Sequence, residues 1–149
     1  MTKDIDHSAR AHALLSASSA HRWLACPPSA VAAEAYPAQD TEFTREGTLA
    51  HEVAEWVASG QSKKGPPLNK GVDDGVTAEM LDCARGYADY IQEHVETDDA
   101  VVLLEQRVDF SPWVPDGFGT CDCVILQGDK MTVIDYKYGV GVPVSAVDN

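Results

Sequence analysis

Asp122, Asp135 and Lys137 are the residues whose types and spacing offer chemistry. Two apolar runs, 121–126 and 131–136, flank Gly128-Asp129, a pattern that predicts a hairpin with a two-residue turn. Glycine at the first central position suits a type II′ turn. Such a short loop sets the register: Gln127 faces Lys130, Leu126 faces Met131, Val124 faces Val133, and on the same count Asp122 faces Asp135. Side chains alternate at period two, so Asp122, Val124, Met131, Val133, Asp135 and Lys137 share one face. Like charges directly opposed destabilise a strand pair, with Cβ atoms roughly 5 Å apart. That separation lets both carboxylates reach one divalent cation at about 2.1 Å, with the Lys137 ammonium on the same face. The same residues also fit a solvent-facing strip whose charges keep an edge hairpin soluble.

The order Asp, short apolar strand, turn, Asp-X-Lys resembles the core of the PD-(D/E)XK nuclease superfamily. Gly-X-X-Asp (Gly119 to Asp122) and the upstream Gly-Thr-Leu-Ala-His (Gly47 to His51) are similar to its RecB-like exonuclease branch. Segments 16–30 and 135–149 look most like a phage- and prophage-associated member of that branch, itself a domain of unknown function. The resemblance runs from about Leu14 to Asn149. It implies an α/β fold: a restriction-endonuclease-like core with N-terminal helices packed on a mixed sheet around a central β-hairpin.

The composition bounds these readings. With 149 residues and 44% of them hydrophobic, the chain suits one domain with a core. We expect a mobile arm over 1–14 and a single nuclease-like domain over 15–149. No stretch approaches 18 apolar residues, and the start lacks the apolar run of a signal peptide. A cytoplasmic protein with reduced cysteines and no membrane contact is the expectation. The net charge of −13 argues against non-specific wrapping of nucleic acid. It opposes the nuclease reading, except that carboxylates binding cations count as negative only until a metal occupies them. Lys63, Lys64 and Lys70 form one basic loop, readable as a phosphate contact or as a solvated linker.

The positioning elements follow in order. Ser16 and Ser18 are N-cap candidates for a short helix through Trp23 and Leu24, which Cys26-Pro27-Pro28 must stop. A second short helix is expected from Ser29 to about Tyr36. Residues 44–59 predict a long helix whose core stripe is Leu49, Val53, Trp56 and Val57. His51 falls on a second stripe with Gly47, Ala54 and Ala58, whose small residues suggest close approach to another element. An isolated helix-surface histidine reads as solvated. The resemblance instead implies that His51 ligates metal through its neutral imidazole. Residues 60–75 read as a loop. Thr77 can cap a helix facing the core with Met80, Leu81, Ala84, Tyr87, Ala88 and Ile91 and ending near Val95. Residues 100–110 read as a strand pairing with the hairpin, with Glu105 inside it as a candidate supporting the ligands from behind. Pro115-Asp116-Gly117 is a turn, so Asp116 is set aside although Pro115-Asp116 spells the superfamily motif. Residues 138–144 read as a bend out of the sheet.

In relatives of the RecB-like branch a Cys-Pro at the place of Cys26 begins a four-cysteine iron–sulfur cluster completed near the C-terminus. This sequence has no cysteine after Cys123, so buried, inert thiols are expected at Cys26, Cys121 and Cys123, with the last two turned away from the Asp122 face. The branch also carries a Gln-X-X-X-Tyr helix after the Asp-X-Lys strand, which this sequence lacks, so the sheet is expected to be incomplete. The resemblance implies metal-dependent hydrolysis of DNA phosphodiesters. Asp122, Asp135, His51 and the Tyr136 main-chain carbonyl would hold Mg²⁺ or Mn²⁺, and Lys137 would orient water or stabilise developing charge. DNA is the implied partner, with a phage or recombination protein as an open second one. The alternative is a catalytically inactive nucleic-acid- or protein-binding module that keeps the nuclease fold.

Overall fold

The structure, a computed structural model, describes residues 13–36, 41–60 and 75–139. The lysine loop and most of the expected arm and C-terminal bend lie outside the described residues; Ala13, at the end of that arm, is buried. The described residues fall into two compact units, one holding residues 13–36 and 107–120, the other residues 41–60, 75–106 and 121–139.

In the first unit a 3-10 turn, Ala17–Ser19, leads into helix α1, Ala20–Ala25. Ser16 stands at the start of that turn in extended backbone but makes no side-chain cap. Its carbonyl instead accepts the Trp23 indole N–H at 2.9 Å. Cys26 leaves the helical region at φ −142°, ψ 85°, as a residue before proline must. Helix α2, Pro28–Glu34, begins one residue earlier than expected, because proline at the first helical position has φ preset and loses no hydrogen bond. Cys26 itself is exposed, which corrects the expectation of a buried thiol there. A tight turn closes on Phe110, whose N–H donates to the Gly117 carbonyl at 3.0 Å. A Cβ on Gly117 would meet the Phe110 ring at 2.5 Å, so only glycine fits.

The second unit carries the core. Helix α3 spans Glu42–Ala58 and helix α4 spans Ala78–Glu93. Each is capped as physics requires: Thr41 Oγ1 accepts the Thr44 N–H and Thr77 Oγ1 accepts the Met80 N–H. The two helices pack directly on one another. The buried face of α3 is Ala50, Val53 and Ala54. It is turned toward the small residues, and Trp56, expected on the core stripe, is only half-buried. Alanines let the helix approach α4 closely, where Met80, Ala84, Tyr87 and Ile91 are buried.

Strands β1, Val101–Asp109, β2, Phe118–Gln127, and β3, Lys130–Ile134, form one sheet in the order β1-β2-β3. The α/β class stands. The sheet is antiparallel rather than mixed among the described strands, because β2 and β3 are joined by a two-residue turn. Gly128 sits at φ +56° and Asp129 is not in the left-handed region, the combination of a type II′ turn. The β2–β3 register is as expected from Gln127↔Lys130 through Cys123↔Ile134. Cys123, Ile125, Ile134 and Tyr136 join α3 and α4 in the core, while Leu126, Met131 and Val133 on the other face are exposed. Gln127 is buried among the described residues although it is polar. Its Oε1 accepts the Glu96 N–H at 2.8 Å and its Nε2 donates to the His94 carbonyl at 2.9 Å. One amide thus ties the segment after α4 to the hairpin.

Candidate metal centre

The paired part of β2 and β3 ends at Cys123↔Ile134. One residue on, Asp122 takes the part a main-chain carbonyl would play: its Oδ2 accepts the Tyr136 N–H at 2.6 Å. Its Oδ1 lies 3.6 Å from His51 Nδ1. His51 comes from α3, between buried Ala50 and Val53, and meets the Tyr136 ring edge-on at 5.3 Å. From β1 comes Glu105, a non-glycine residue at φ +46° inside a strand. That backbone costs on the order of 1–3 kcal/mol. One ligand atom each from His51, Glu105 and Asp122 lies within 4.8 Å of the others.

The charges explain each other. The Asp122 carboxylate raises the His51 pKa above 6.5, with burial opposing and the Asp122 and Glu105 charges adding. Burial pushes Asp122 upward, but His51 and the Tyr136 N–H outweigh it and hold the carboxyl below 3.8. Glu105 moves the other way, raised above 4.5 by loss of water and then by the Asp122 and Glu55 carboxylates. Two carboxylates therefore face one imidazole, and the group is short of positive charge.

The expected opposition of Asp122 and Asp135 is replaced by a different pairing. Asp135 lies past the end of β3 and binds Lys137 at 2.6 Å, both side chains about two-thirds exposed. Like charges directly opposed repel, and Lys137, two residues on, offers Asp135 a counter-charge. So the structure brings His51, Glu105 and Asp122 together, keeps the Tyr136 main chain bound to Asp122, and leaves Asp135 and Lys137 beside the cluster as an ion pair. Glu105 stands among the ligand candidates rather than behind them. Its signal is a glutamate directly after the apolar run 101–104; the positive φ at Glu105 has none. Lys137 also lines a cavity of about 560 Å³ with Phe43, Gly47, Glu79 and Cys83 from the first two turns of α3 and α4. Asp116 sits in its turn at φ +56° in the other unit. Cys123 is buried, as expected, whereas Cys121 is only half-buried and Cys83 is exposed.

Imidazole and two carboxylates form a hard, mixed N/O donor set. It fits Mn²⁺ or Mg²⁺ and not a soft thiolate-loving ion. Among the described residues no helix is long and apolar enough to cross a membrane. No solved structure matches the chain. The family model described as "Protein of unknown function (DUF2800)" matches residues 12–149, and the chain belongs to that family.

Proposed function

We propose that this protein is a metal-dependent deoxyribonuclease built on the N-terminal part of a restriction-endonuclease-like core. The observation that carries the reading is the convergence of His51, Glu105 and Asp122 from three elements within 4.8 Å, next to an Asp-X-Lys segment. In this reading His51, Glu105 and Asp122 hold Mn²⁺ or Mg²⁺, with Asp135 and the Tyr136 carbonyl as further donors. When bound, the ion supplies Lewis acidity and lowers the pKa of water beside the phosphodiester.

The protein's own groups do the rest. The Tyr136 N–H holds Asp122 in one orientation, so little order has to be created on binding. His51 ligates only as neutral imidazole and must give up the proton that Asp122 favours. Lys137, exposed and hinged on Asp135, can turn its ammonium to the phosphate oxygens or to the attacking water, where charge develops.

The Asp135–Lys137 ion pair also favours a second reading, a binding module whose Asp-X-Lys is idle. Incubation of linear DNA with the protein and Mn²⁺ decides. The nuclease reading expects cleavage that EDTA abolishes and Lys137→Ala reduces. Mn²⁺-loaded protein that leaves both single- and double-stranded DNA intact favours the binding module.

A further inference from the structure

Helix α4 sends Tyr87 under the cluster. Its ring packs on Tyr136 with centroids 4.9 Å apart, and Tyr136 meets His51 at 5.3 Å. Three rings thus run from α4 to the ligand candidates. Tyr87 is 7% exposed, and its hydroxyl is shielded from solvent with no hydrogen-bond partner among the described residues. An unpaired buried hydroxyl is unfavourable, and phenylalanine would fill the same core without it. Burial raises the phenol first; the charges acting on it are then the Cys123 thiol and the carboxylates of Asp122, Glu105 and Asp135. All of these keep the proton on the oxygen, so Tyr87 offers a buried donor one ring away from His51. The Tyr136 hydroxyl, also buried and without a partner among the described residues, is raised by burial first and then by Cys83 and Tyr138.

We propose that Tyr87 is a positioning residue for the cation site, its hydroxyl donating a hydrogen bond to the Asp122–Glu105 carboxylate pair once a cation draws His51, Glu105 and Asp122 together. The inference rests on the cation-site reading above. It gives α4 a role in ligand geometry: the hydroxyl offsets part of the negative charge and fixes the rotamer of a carboxylate that strand β1 presents. A donor to a ligating carboxylate typically changes metal affinity 10–100-fold.

The test is a calorimetric Mn²⁺ titration of the parent, Tyr87→Phe and, as a tyrosine-loss control on the exposed side of α4, Tyr90→Phe. A tyrosine ultraviolet difference spectrum is recorded in each titration. The expected result is a Tyr87→Phe protein with an unchanged or higher Tm and about tenfold weaker Mn²⁺ binding. The Mn²⁺-induced tyrosine signal should be present in the parent and in Tyr90→Phe and absent in Tyr87→Phe. Equal affinity and an equal signal in parent and Tyr87→Phe would overturn the role of Tyr87 alone. A parent that binds no Mn²⁺ would overturn the cation site and Tyr87 with it. Should Tyr87→Phe fail to fold, the parent decides, since no tyrosine signal on Mn²⁺ binding contradicts the proposal.

Discussion

The Asp122 carboxylate accepts the Tyr136 main-chain N–H at 2.6 Å, one residue beyond the last paired rung of β2 and β3. A side chain that substitutes for a strand carbonyl is held by the sheet itself, and that places a charged oxygen where α3 brings His51. The cluster's pH behaviour follows from this contact.

Stability of the metal-free protein should pass through a maximum in mildly acidic solution. Asp122 is depressed below 3.8, so its contribution is present above that value and lost as pH falls through its folded pKa. His51 is raised above 6.5, so its contribution is complete below 6.5 and lost as pH rises through its higher folded pKa. Glu105, raised above 4.5, adds to the loss on the alkaline side of that value. Tm measured across this range should fall on both sides, and His51→Ala should flatten the fall above pH 6.5. A Tm that climbs steadily into the alkaline range would contradict the assigned contacts.

Mn²⁺ binding should run against that trend. The His51 proton competes with the cation, and Asp122, Glu105 and Lys137 are the other charges that act on it. Affinity should therefore strengthen as pH rises through the folded His51 pKa, above 6.5. In His51→Ala the affinity should be lower and nearly independent of pH in that range. Calorimetry at several pH values measures both.

Lys137→Ala should separate activity from stability. The Asp135–Lys137 pair is solvent-exposed, and such pairs contribute about 0–1 kcal/mol, so Tm should hardly move. If Lys137 stabilises charge developing at the phosphate, DNA cleavage should fall roughly 10²–10³-fold. Unchanged cleavage would remove Lys137 from the mechanism.

Gln127→Ala should do the reverse. It leaves the Glu96 N–H and the His94 carbonyl without their partner, at a cost of about 1–3 kcal/mol. A denaturant midpoint shifted down with Mn²⁺ affinity unchanged is the expected outcome.

Much of the site's scaffold was legible in the sequence, for identifiable reasons. Gly128-Asp129 allowed only a short turn, so the register from Gln127 to Cys123 followed by counting. Thr77 and the Met80, Ala84, Tyr87, Ile91 spacing gave α4 its cap and its buried face. Extrapolating the register past Cys123 paired Asp122 with Asp135, because nothing in the residue types says that β3 stops at Ile134 or that Lys137 captures Asp135. The place of Glu105 is hidden for a related reason: alternation assumes a regular strand, and a residue at φ +46° breaks it without a glycine to announce the break. The tilt of α3 toward Ala50 and Ala54 is a packing outcome that the larger Trp56 obscured.

The most direct test of the central claim is calorimetric Mn²⁺ titration of the parent beside Asp122→Asn. Asparagine keeps the shape and can still accept the Tyr136 N–H, but it removes the charge. Binding should be saturable in the parent and at least tenfold weaker in Asp122→Asn, at closely similar Tm. Equal binding by the two proteins, or none by the parent, would contradict a cation site at His51, Glu105 and Asp122.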